Sequence, residues 1–228
     1  MLTGDERWDL DLLKEAVRYQ RWALSSFGGA IRGRVLEAGA GIGNFTRWIS
    51  RDADAVVVAE PEADLCEEID AMGLPNVKAV PAPIEALDAE PFDTAVPINV
   101  LEHIEDDLAA LRATFDLLNP GGRVCILVPA HPLLYGTLDA RYEHFRRYRR
   151  SDVDALLTKA GFVRERLRYF NPVGAVGWFL VGRVLRPKRL SPSSVVLTER
   201  IGVPVGKLLE RLGPPPFGQS VVAIGRRL

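Results

Sequence analysis

Two carboxylates and a glycine-rich segment form the first chemically informative pattern in this 228-residue chain. Glu37 precedes three alternating glycines, Gly39, Gly41 and Gly43, and Glu60 follows Glu37 after 23 residues. A glycine turn lets a ligand approach the backbone closely, and a carboxylate beside it would repel a pyrophosphate but attract an ammonium or sulfonium group. The Glu60 carboxylate could accept hydrogen bonds from two ribose hydroxyls. The pattern therefore predicts a nucleoside ligand that carries positive charge.

The spacing of the glycines distinguishes two classes of nucleotide ligand. A dinucleotide fingerprint, G-x-G-x-x-G, needs its third glycine where this chain has Asn44, and the extra glycine comes one place early, at Gly43. NAD is therefore disfavoured. S-adenosylmethionine carries both an ammonium and a sulfonium group, so it matches the Glu37 carboxylate. For Glu60, an ordinary surface acid at the end of a strand is the alternative interpretation.

The chain has three histidines, His103, His131 and His144, and all of them follow the predicted fourth strand. Imidazole is the side chain best suited to accept a proton near neutral pH, so each is a candidate general base or acceptor contact. His103 could instead pack at the start of a helix. His144 belongs to the basic and aromatic run 142–150, which could close over an anionic substrate or form a solvated surface.

Hydrophobic periodicity predicts the alternating strands and helices that would position these residues. Strands are predicted at 34–37, 55–59, 76–80, 92–100, 123–128, 162–170 and 220–226. One amphipathic helix is predicted from the N-terminal residues to near Gly28, and further helices are predicted at 44–49, 63–72, 106–118, 151–160 and 198–212. This alternation implies right-handed crossovers and a parallel sheet that is covered on both faces. Pro97 within the fourth strand predicts a bulge, because proline cannot donate to the ladder.

The composition of the chain disfavours several classes of function and ligand. The chain has 29 basic and 30 acidic residues, which disfavours nucleic acid as a partner because polyanion binders usually carry a basic excess. The two cysteines, Cys66 and Cys125, show no zinc or disulfide spacing, so no metal site is predicted. The acidic, amphipathic N-terminal residues do not resemble a secretory signal, which predicts a cytoplasmic protein.

The apolar segment 173–185 is shorter than the roughly 20 residues that a bilayer span requires, so no transmembrane span is predicted. A buried helix is the simplest interpretation of this segment. The alternatives are a helix that lies on a membrane surface, the wall of an apolar substrate cleft and a subunit interface. An oligomer formed through this part of the chain is therefore one expectation.

Three motifs, in this order, resemble the class I S-adenosylmethionine-dependent methyltransferases. They are V-L-E-A-G-A-G-I-G at 35–43, F-D at 92–93 followed by N-V-L-E-H-I at 99–104, and L-N-P-G-G-R at 118–123. The stretches L-Y-G-x-x-D at 134–139 and R-R-Y at 146–148 resemble the small-molecule methyltransferase group of bacterial type. The resemblance implies an α/β fold with a doubly wound, seven-stranded, mostly parallel sheet of the Rossmann-like type. It also implies that the last strand is antiparallel and that a helical insertion precedes it.

The resemblance further implies one domain over 1–228 and assigns its parts. These are an N-terminal helical cap at 1–30, a cofactor-binding core at 31–170, the helical insertion at 171–218 and the final strand at 219–228. The residues implied to bind S-adenosylmethionine are Tyr19, Glu37, Ala38, Gly39, Ala40, Gly41, Asn44, Glu60, Pro61, Ile84, Glu85, Asn99, Val100 and Leu101. The residues implied to contact the acceptor are Trp22, Tyr135, Asp139, Arg146, Arg147 and Tyr148.

One position departs from the family pattern. Pro83 stands where the family usually has an aspartate that accepts a hydrogen bond from adenine. The proline side chain cannot accept one, so the backbone around Ile84 or the Glu85 carboxylate would have to read the adenine.

The main hypothesis is a methyltransferase that moves a methyl group from S-adenosylmethionine to oxygen, nitrogen or carbon of a small-molecule acceptor. The acceptor could be anionic, aromatic or lipid-like. The reaction is an in-line displacement, so alignment is the main requirement and a histidine base is needed only for a protic acceptor. A non-catalytic S-adenosylmethionine-binding protein is the alternative hypothesis, and a nicotinamide oxidoreductase is disfavoured by the glycine spacing.

Overall fold

A seven-stranded sheet runs through the computed structural model, which describes residues 4–180 and 191–228. The strands are β1 Arg34–Ala38, β2 Ala55–Ala59, β3 Val77–Val80, β4 Phe92–Pro97, β5 Leu118–Pro129, β6 Val163–Phe170 and β7 Ser220–Arg226. They lie in the order β3-β2-β1-β4-β5-β7-β6. Pairing is parallel from β3 to β5, and β7 runs antiparallel to both of its neighbours. The predicted mostly parallel sheet with an antiparallel last strand is confirmed.

Helices cover both faces of this sheet. They are α1 Gly4–Leu13, α2 Val17–Ser25, α3 Thr46–Asp52, α4 Ala63–Asp70, α5 Asp107–Asp116, α6 Thr137–Arg141, α7 Arg150–Lys159, α8 Pro172–Phe179, α9 Pro192–Leu197 and α10 Val203–Arg211. Neighbouring residues of a strand point to opposite faces, so the core divides into two clusters. Leu36 packs in the cluster of Leu111 and Leu157, whereas Val35 packs in the cluster of Ile49. Because each face of the sheet carries its own apolar cluster, helices pack on both faces and the sheet is doubly wound.

The polypeptide enters the sheet through two helices, whereas the sequence predicted one helix that ends near Gly28. Helix α1 ends at Leu13, residues 14–16 form a turn, and α2 begins at Val17. The carboxylate of Glu199 accepts hydrogen bonds from the backbone N–H groups of Arg18 and Tyr19, at 2.7 and 2.8 Å. These are N–H groups of the first turn of α2, which have no acceptor within their own helix. The single-helix prediction was wrong because a residue far along the chain stabilises a second helix start.

Pro97 is the last residue of β4, and the predicted bulge at this position is wrong. The ladder from β4 to β5 is interrupted near Pro97 and resumes in the same register at the bridge between Ile98 and Leu127. The missing N–H therefore removes a ladder bond without inserting a residue. The register shift of this pair lies at the opposite end of the strand, between Phe92 and Thr94.

Several element boundaries also differ from the predictions. Strand β5 begins at Leu118, five residues before the predicted start at 123, and the predicted helix 198–212 is a π-helical turn at Thr198–Gly202 followed by α10. Of the apolar segment 173–185, residues up to 179 lie in α8, and residues 181–185 fall outside the described part of the chain. Within 4–180 and 191–228, each helix is too short or too polar to cross a bilayer.

Candidate cofactor and acceptor site

Four predicted site residues lie at the carboxyl edge of the parallel strands. Glu37 is the penultimate residue of β1, and Glu60, Asn99 and His131 come just after β2, β4 and β5. Ligands of open α/β sheets bind at this edge, where the loops from adjacent strands diverge. The alternation of strands and helices in the sequence thus brings these separate residues to one side of the molecule.

The turn after β1 depends on glycine for its conformation and its packing. Gly39, Gly41 and Gly43 have φ angles of 65°, 55° and 77°, in the left-handed region that side chains disfavour. A Cβ atom at Gly39 would lie 2.8 Å from Cγ2 of Val100, which is too close for carbon atoms. The backbone at Gly39 therefore packs directly against the segment that follows β4. Both contacting residues were predicted to bind the cofactor.

Glu37 is a buried acid that lacks a full set of partners. Its side chain is 3% exposed, and its Oε2 atom accepts no hydrogen bond from the described residues. Burial raises the pKa of Glu37 to about 8, and the nearby Glu60 carboxylate also raises it. A buried carboxyl group of this kind is stabilised as the anion when a cation binds beside it. An ammonium group fits this requirement.

Glu60 connects the glycine turn to the end of β2. One carboxylate oxygen accepts from the Gly41 N–H at 2.8 Å, and the other is 3.3 Å from the Glu62 N–H. Burial raises the pKa of Glu60, and the two backbone donors act in the opposite direction. Glu60 is 6% exposed, which differs from the alternative of an ordinary surface acid.

The other residues predicted to bind the cofactor differ in backbone conformation and in burial. Asn99 has a φ of 53° and donates its N–H to the Leu127 carbonyl, so the chain turns sharply after β4. Ile84 is buried, whereas the neighbouring Glu85 is exposed at the surface. The remaining members are Tyr19 (partly buried), Ala38 (buried), Ala40 (partly buried), Asn44 (buried), Pro61 (exposed) and Leu101 (buried).

The structure separates the three histidines into two places. The rings of His103 and His144 lie edge to face with centroids 4.6 Å apart. His131 instead stacks on Tyr169, with centroids 4.6 Å apart and an angle of 26° between the rings. The sequence did not distinguish the roles of these residues, because all three fall within one loop-rich stretch.

The backbone conformation and the side-chain environment of His131 are both unusual. It has a φ of 59°, an uncommon backbone conformation for a side chain of this size, and its buried Nε2 atom has no hydrogen-bond partner in the described structure. Burial and the Arg147 charge lower the pKa of His131 below its ordinary value of 6.5. The imidazole is therefore neutral at pH 7, with one nitrogen able to accept a proton.

An apolar groove of about 480 Å³ opens beside His131. Its walls come from the short helix after β5, from α8 and from the segment before β7. The lining residues are His131, Leu133, Leu134, Ala175, Val176, Phe179 and Phe217. One alternative for the apolar segment 173–185 was the wall of an apolar cleft. The described part of this segment, which lies in α8, does line such a groove.

The predicted acceptor residues form a buried network instead of an open basic surface. Asp139 accepts from Arg147 Nε at 2.7 Å, and Asp139 Oδ1 lies 2.9 Å from His144 Nδ1. Arg146 pairs with Asp107 at 2.8 Å, and the hydroxyl of buried Tyr148 donates to the same carboxylate at 2.9 Å. Within the run 142–150, Arg146 and Arg147 are therefore paired inside the chain, whereas Arg149 and Arg150 are exposed at the surface.

Trp22 and Tyr135 were both predicted to contact the acceptor, and they lie in different surroundings. Trp22 is 4% exposed and packs on Phe170 with ring centroids 4.4 Å apart, so its place is in the core. Tyr135 donates its hydroxyl hydrogen to the His144 carbonyl at 2.8 Å and so holds the loop that carries this histidine.

Sequence reasoning missed two residues of this region. Glu102 is 1% exposed and lies beside His103, within the motif 99–104, so its position in that motif was an available signal. Trp178 on α8 lies under the Arg147 guanidinium, 4.9 Å from its ring centroid, and its indole N–H is 3.4 Å from Asp139. No local pattern indicates Trp178, because its partners lie more than 30 residues earlier in the chain.

Comparisons with known proteins agree with this geometry. Residues 16–166 match the family model described as a methyltransferase domain. A ubiquinone biosynthesis O-methyltransferase from Ruegeria pomeroyi is 32% identical over 109 residues, which span 45% of this chain and 44% of that protein. The match thus covers less than half of the length of this relative.

Solved structures share the fold at low identity. A candidate sarcosine dimethylglycine methyltransferase from Galdieria sulphuraria superposes with a TM-score of 0.62 at 17% identity, over 92% of this chain and 86% of that one. The magnesium protoporphyrin IX methyltransferase from Synechocystis, with S-adenosylhomocysteine bound, gives a TM-score of 0.58 at 13% identity over 100% of this chain and 89% of that one. The family match, the sheet order and the glycine turn lead to one conclusion: the chain belongs to the S-adenosylmethionine-dependent methyltransferases, and S-adenosylmethionine is its cofactor.

Proposed function

We propose that this methyltransferase acts on a small acceptor with an apolar or aromatic body and a protic oxygen or nitrogen, and that His131 is its general base. The observation that carries the proposal is the buried Nε2 atom of His131, which has no hydrogen-bond partner in the described structure and belongs to a residue that lines an apolar groove. A neutral imidazole in such a place can take a proton from a hydroxyl or amine that the groove delivers.

The groove supports an acceptor that is mostly apolar. Leu133 is 77% exposed and Phe179 is 48% exposed, although both line the same concavity. Each methylene group that a ligand buries there contributes about 0.8 kcal/mol, so an alkyl or aryl substituent would strengthen binding markedly. The curated relative is an oxygen methyltransferase of ubiquinone biosynthesis, which is consistent with an oxygen acceptor for this chain.

The cofactor side uses residues that fit an ammonium and a ribose. The glycine turn admits a ligand close to the backbone, the Glu37 carboxylate would pair with the ammonium group, and Glu60 would accept from ribose hydroxyls in exchange for its bond to Gly41. When bound, the cofactor supplies a methyl carbon attached to a positively charged sulfur. The aspartate usual at position 83 is absent, so we assign adenine contact to the buried Ile84 and its backbone.

The proton and the methyl group follow separate paths in this proposal. His131 Nε2 would accept the proton of the acceptor O–H or N–H, and the acceptor lone pair would then be free to take the methyl group that the cofactor supplies, with its sulfur as the leaving group. The products are the methylated acceptor, S-adenosylhomocysteine and a protonated imidazole that returns its proton to solvent.

The proposal is tested with para-alkylphenols of increasing chain length, by mass spectrometry of the methylated product. We expect kcat/KM to rise about fourfold for each methylene group that the groove buries. His131→Gln should lower kcat by about 100- to 10,000-fold while binding of S-adenosylhomocysteine stays unchanged.

Two results would contradict this proposal. Turnover that does not depend on chain length would remove the groove from the acceptor site. A His131→Gln variant with the wild-type rate at pH 7 would remove the base. Binding of S-adenosylhomocysteine without transfer to any phenol or matched aniline would support the alternative of a cofactor-binding protein without this acceptor class.

A further inference from the structure

Glu102, His103 and His144 form a cluster at the start of the segment after β4. Each residue offers one potential ligand atom, and these atoms lie within 4.8 Å of one another. Glu102 and His103 belong to the short helix Leu101–His103, and His144 comes from the loop before α7. The spacing along the chain does not indicate a metal site, because 41 residues separate the two histidines.

Glu102 lacks a partner that its burial would require. The residue is 1% exposed, and its Oε2 atom is buried without a hydrogen-bond partner among the described side chains and backbone groups. Leaving a buried carboxylate oxygen unpaired costs free energy, so such atoms are rare in folded proteins. A bound cation beside Glu102 would provide the missing interaction.

His144 is oriented as metal-binding histidines usually are. Its Nδ1 lies 2.9 Å from Asp139 Oδ1, and the same carboxylate accepts from Arg147 and from the Gly136 N–H. An ionised carboxylate can only accept hydrogen bonds, so Nδ1 of His144 is the donor in this pair, which leaves Nε2 as the ring nitrogen that would bind a metal. Metal-ligating histidines commonly donate their second ring N–H to a carboxylate in this manner.

The ligand set also favours a cation. Glu102 supplies a carboxyl oxygen, and His103 and His144 supply one imidazole nitrogen each. Two imidazoles and one carboxylate form a ligand set suited to divalent first-row transition metals, and three protein ligands leave coordination positions open for water or an anionic oxygen.

We infer that Glu102, His103 and His144 bind a divalent transition-metal ion, with Asp139 as the residue that positions His144. This site is distinct from His131 and its groove. Metal binding is measured without any acceptor, so its outcome does not depend on the acceptor that we propose above.

The test uses the full chain, purified, stripped with a chelator and titrated with Zn²⁺ by calorimetry, with Co²⁺ as a second, spectroscopic probe. We expect one ion per chain and a visible Co²⁺ absorption typical of imidazole ligation. Glu102→Gln and His144→Ala should each weaken Zn²⁺ binding by about tenfold or more, and should change the Co²⁺ spectrum.

His131→Ala is the matched control, because it removes the histidine that lies outside the cluster. It should bind Zn²⁺ as the wild type does. Each variant is first shown to be folded by its thermal stabilisation with S-adenosylhomocysteine. The inference is overturned if the folded wild-type chain binds no stoichiometric ion, or if His131→Ala weakens binding as much as His144→Ala.

Discussion

Glu37 shows how a single buried carboxyl group can couple cofactor binding to protonation. Its pKa of about 8 in the ligand-free protein means that it is largely protonated at pH 7. An ammonium group bound beside it would favour the anion, so the carboxyl group must lose its proton as the cofactor binds. The neighbouring Glu60 is the second acid that faces this position.

We therefore expect binding of S-adenosylmethionine at pH 7 to release close to one proton from Glu37. The affinity should rise between about pH 6 and pH 7.5, a range in which the amino group of the ligand remains mostly protonated. Calorimetry in two buffers of different ionisation enthalpy measures the released proton directly.

Glu37→Gln is the control for this titration, because it preserves the shape of the side chain and leaves Glu60 in place. The variant should release no proton and should bind the cofactor about 10- to 100-fold more weakly, since a hydrogen bond to a charged group is lost. Equal proton release by the variant and the wild type would assign the titration to another group.

Neighbouring residues explain why the histidines differ in character although they are one residue type. His131 follows β5, has a positive φ angle and lines an apolar groove, whereas His144 is held by Asp139. Each environment depends on residues from other elements. The sequence alone therefore left all three histidines as equal candidates for the base.

At the scale of elements, the turn after β1 depends on the close approach of two segments. Gly39 combines a positive φ with contact to Val100, whereas Gly73 has the same φ of 65° and open space around it. Alanine substitutions at Gly73 and Gly39 therefore separate two contributions to the free energy of unfolding, the strain of the backbone conformation and the steric clash of an added methyl group.

Gly73→Ala should lower the free energy of unfolding by about 1 to 2 kcal/mol, the usual cost of the left-handed region. Gly39→Ala should lower it by a further 1 to 3 kcal/mol or so, because the added methyl group displaces Val100, and should also weaken cofactor binding. Denaturant unfolding monitored by tryptophan fluorescence gives both values. Equal losses in the two variants would show that the contact at Val100 adds nothing.

Strand β2 illustrates which elements were predictable. Its run of three valines is buried on both faces and occupies Ala55–Ala59, as predicted. Strand β4 was predicted to reach residue 100 but ends at Pro97, because Asn99 adopts a left-handed conformation that breaks the extended chain. Uniform apolar runs thus defined their strands well, whereas boundaries that depend on turn geometry did not follow from composition.

At the scale of the whole molecule, the N-terminal helices and the segment before β7 stabilise each other. Glu199 in the π-helical turn caps the start of α2, which has Ala16 at its N-cap and so no side-chain acceptor of its own. The contact spans 181 residues of sequence and closes the helical layer over one face of the sheet.

Glu199→Ala should lower the free energy of unfolding by about 1 to 2 kcal/mol, because two backbone N–H groups lose their acceptor and a favourable charge leaves the helix start. Hydrogen exchange measured by mass spectrometry should show faster exchange at Arg18 and Tyr19. Glu143→Ala serves as a comparison, since Glu143 is also an acid but makes no hydrogen bond or ion pair with α2 among the described residues, and it should leave exchange in α2 unchanged.

The amino-acid sequence by itself determined the class of fold, the order of strand and helix, the glycine turn with its two carboxylates and the family. These features depend on local periodicity, on glycine and proline conformation and on residues that are close in the chain. Only the tertiary structure decided that Arg147 and Tyr148 are buried, that His131 stands apart from His103 and His144, and that Glu102 lies among them. The physical reason is that charge pairing, burial and the environment of an imidazole depend on residues that are distant in the sequence and close in the fold. A local sequence pattern does not identify those partners.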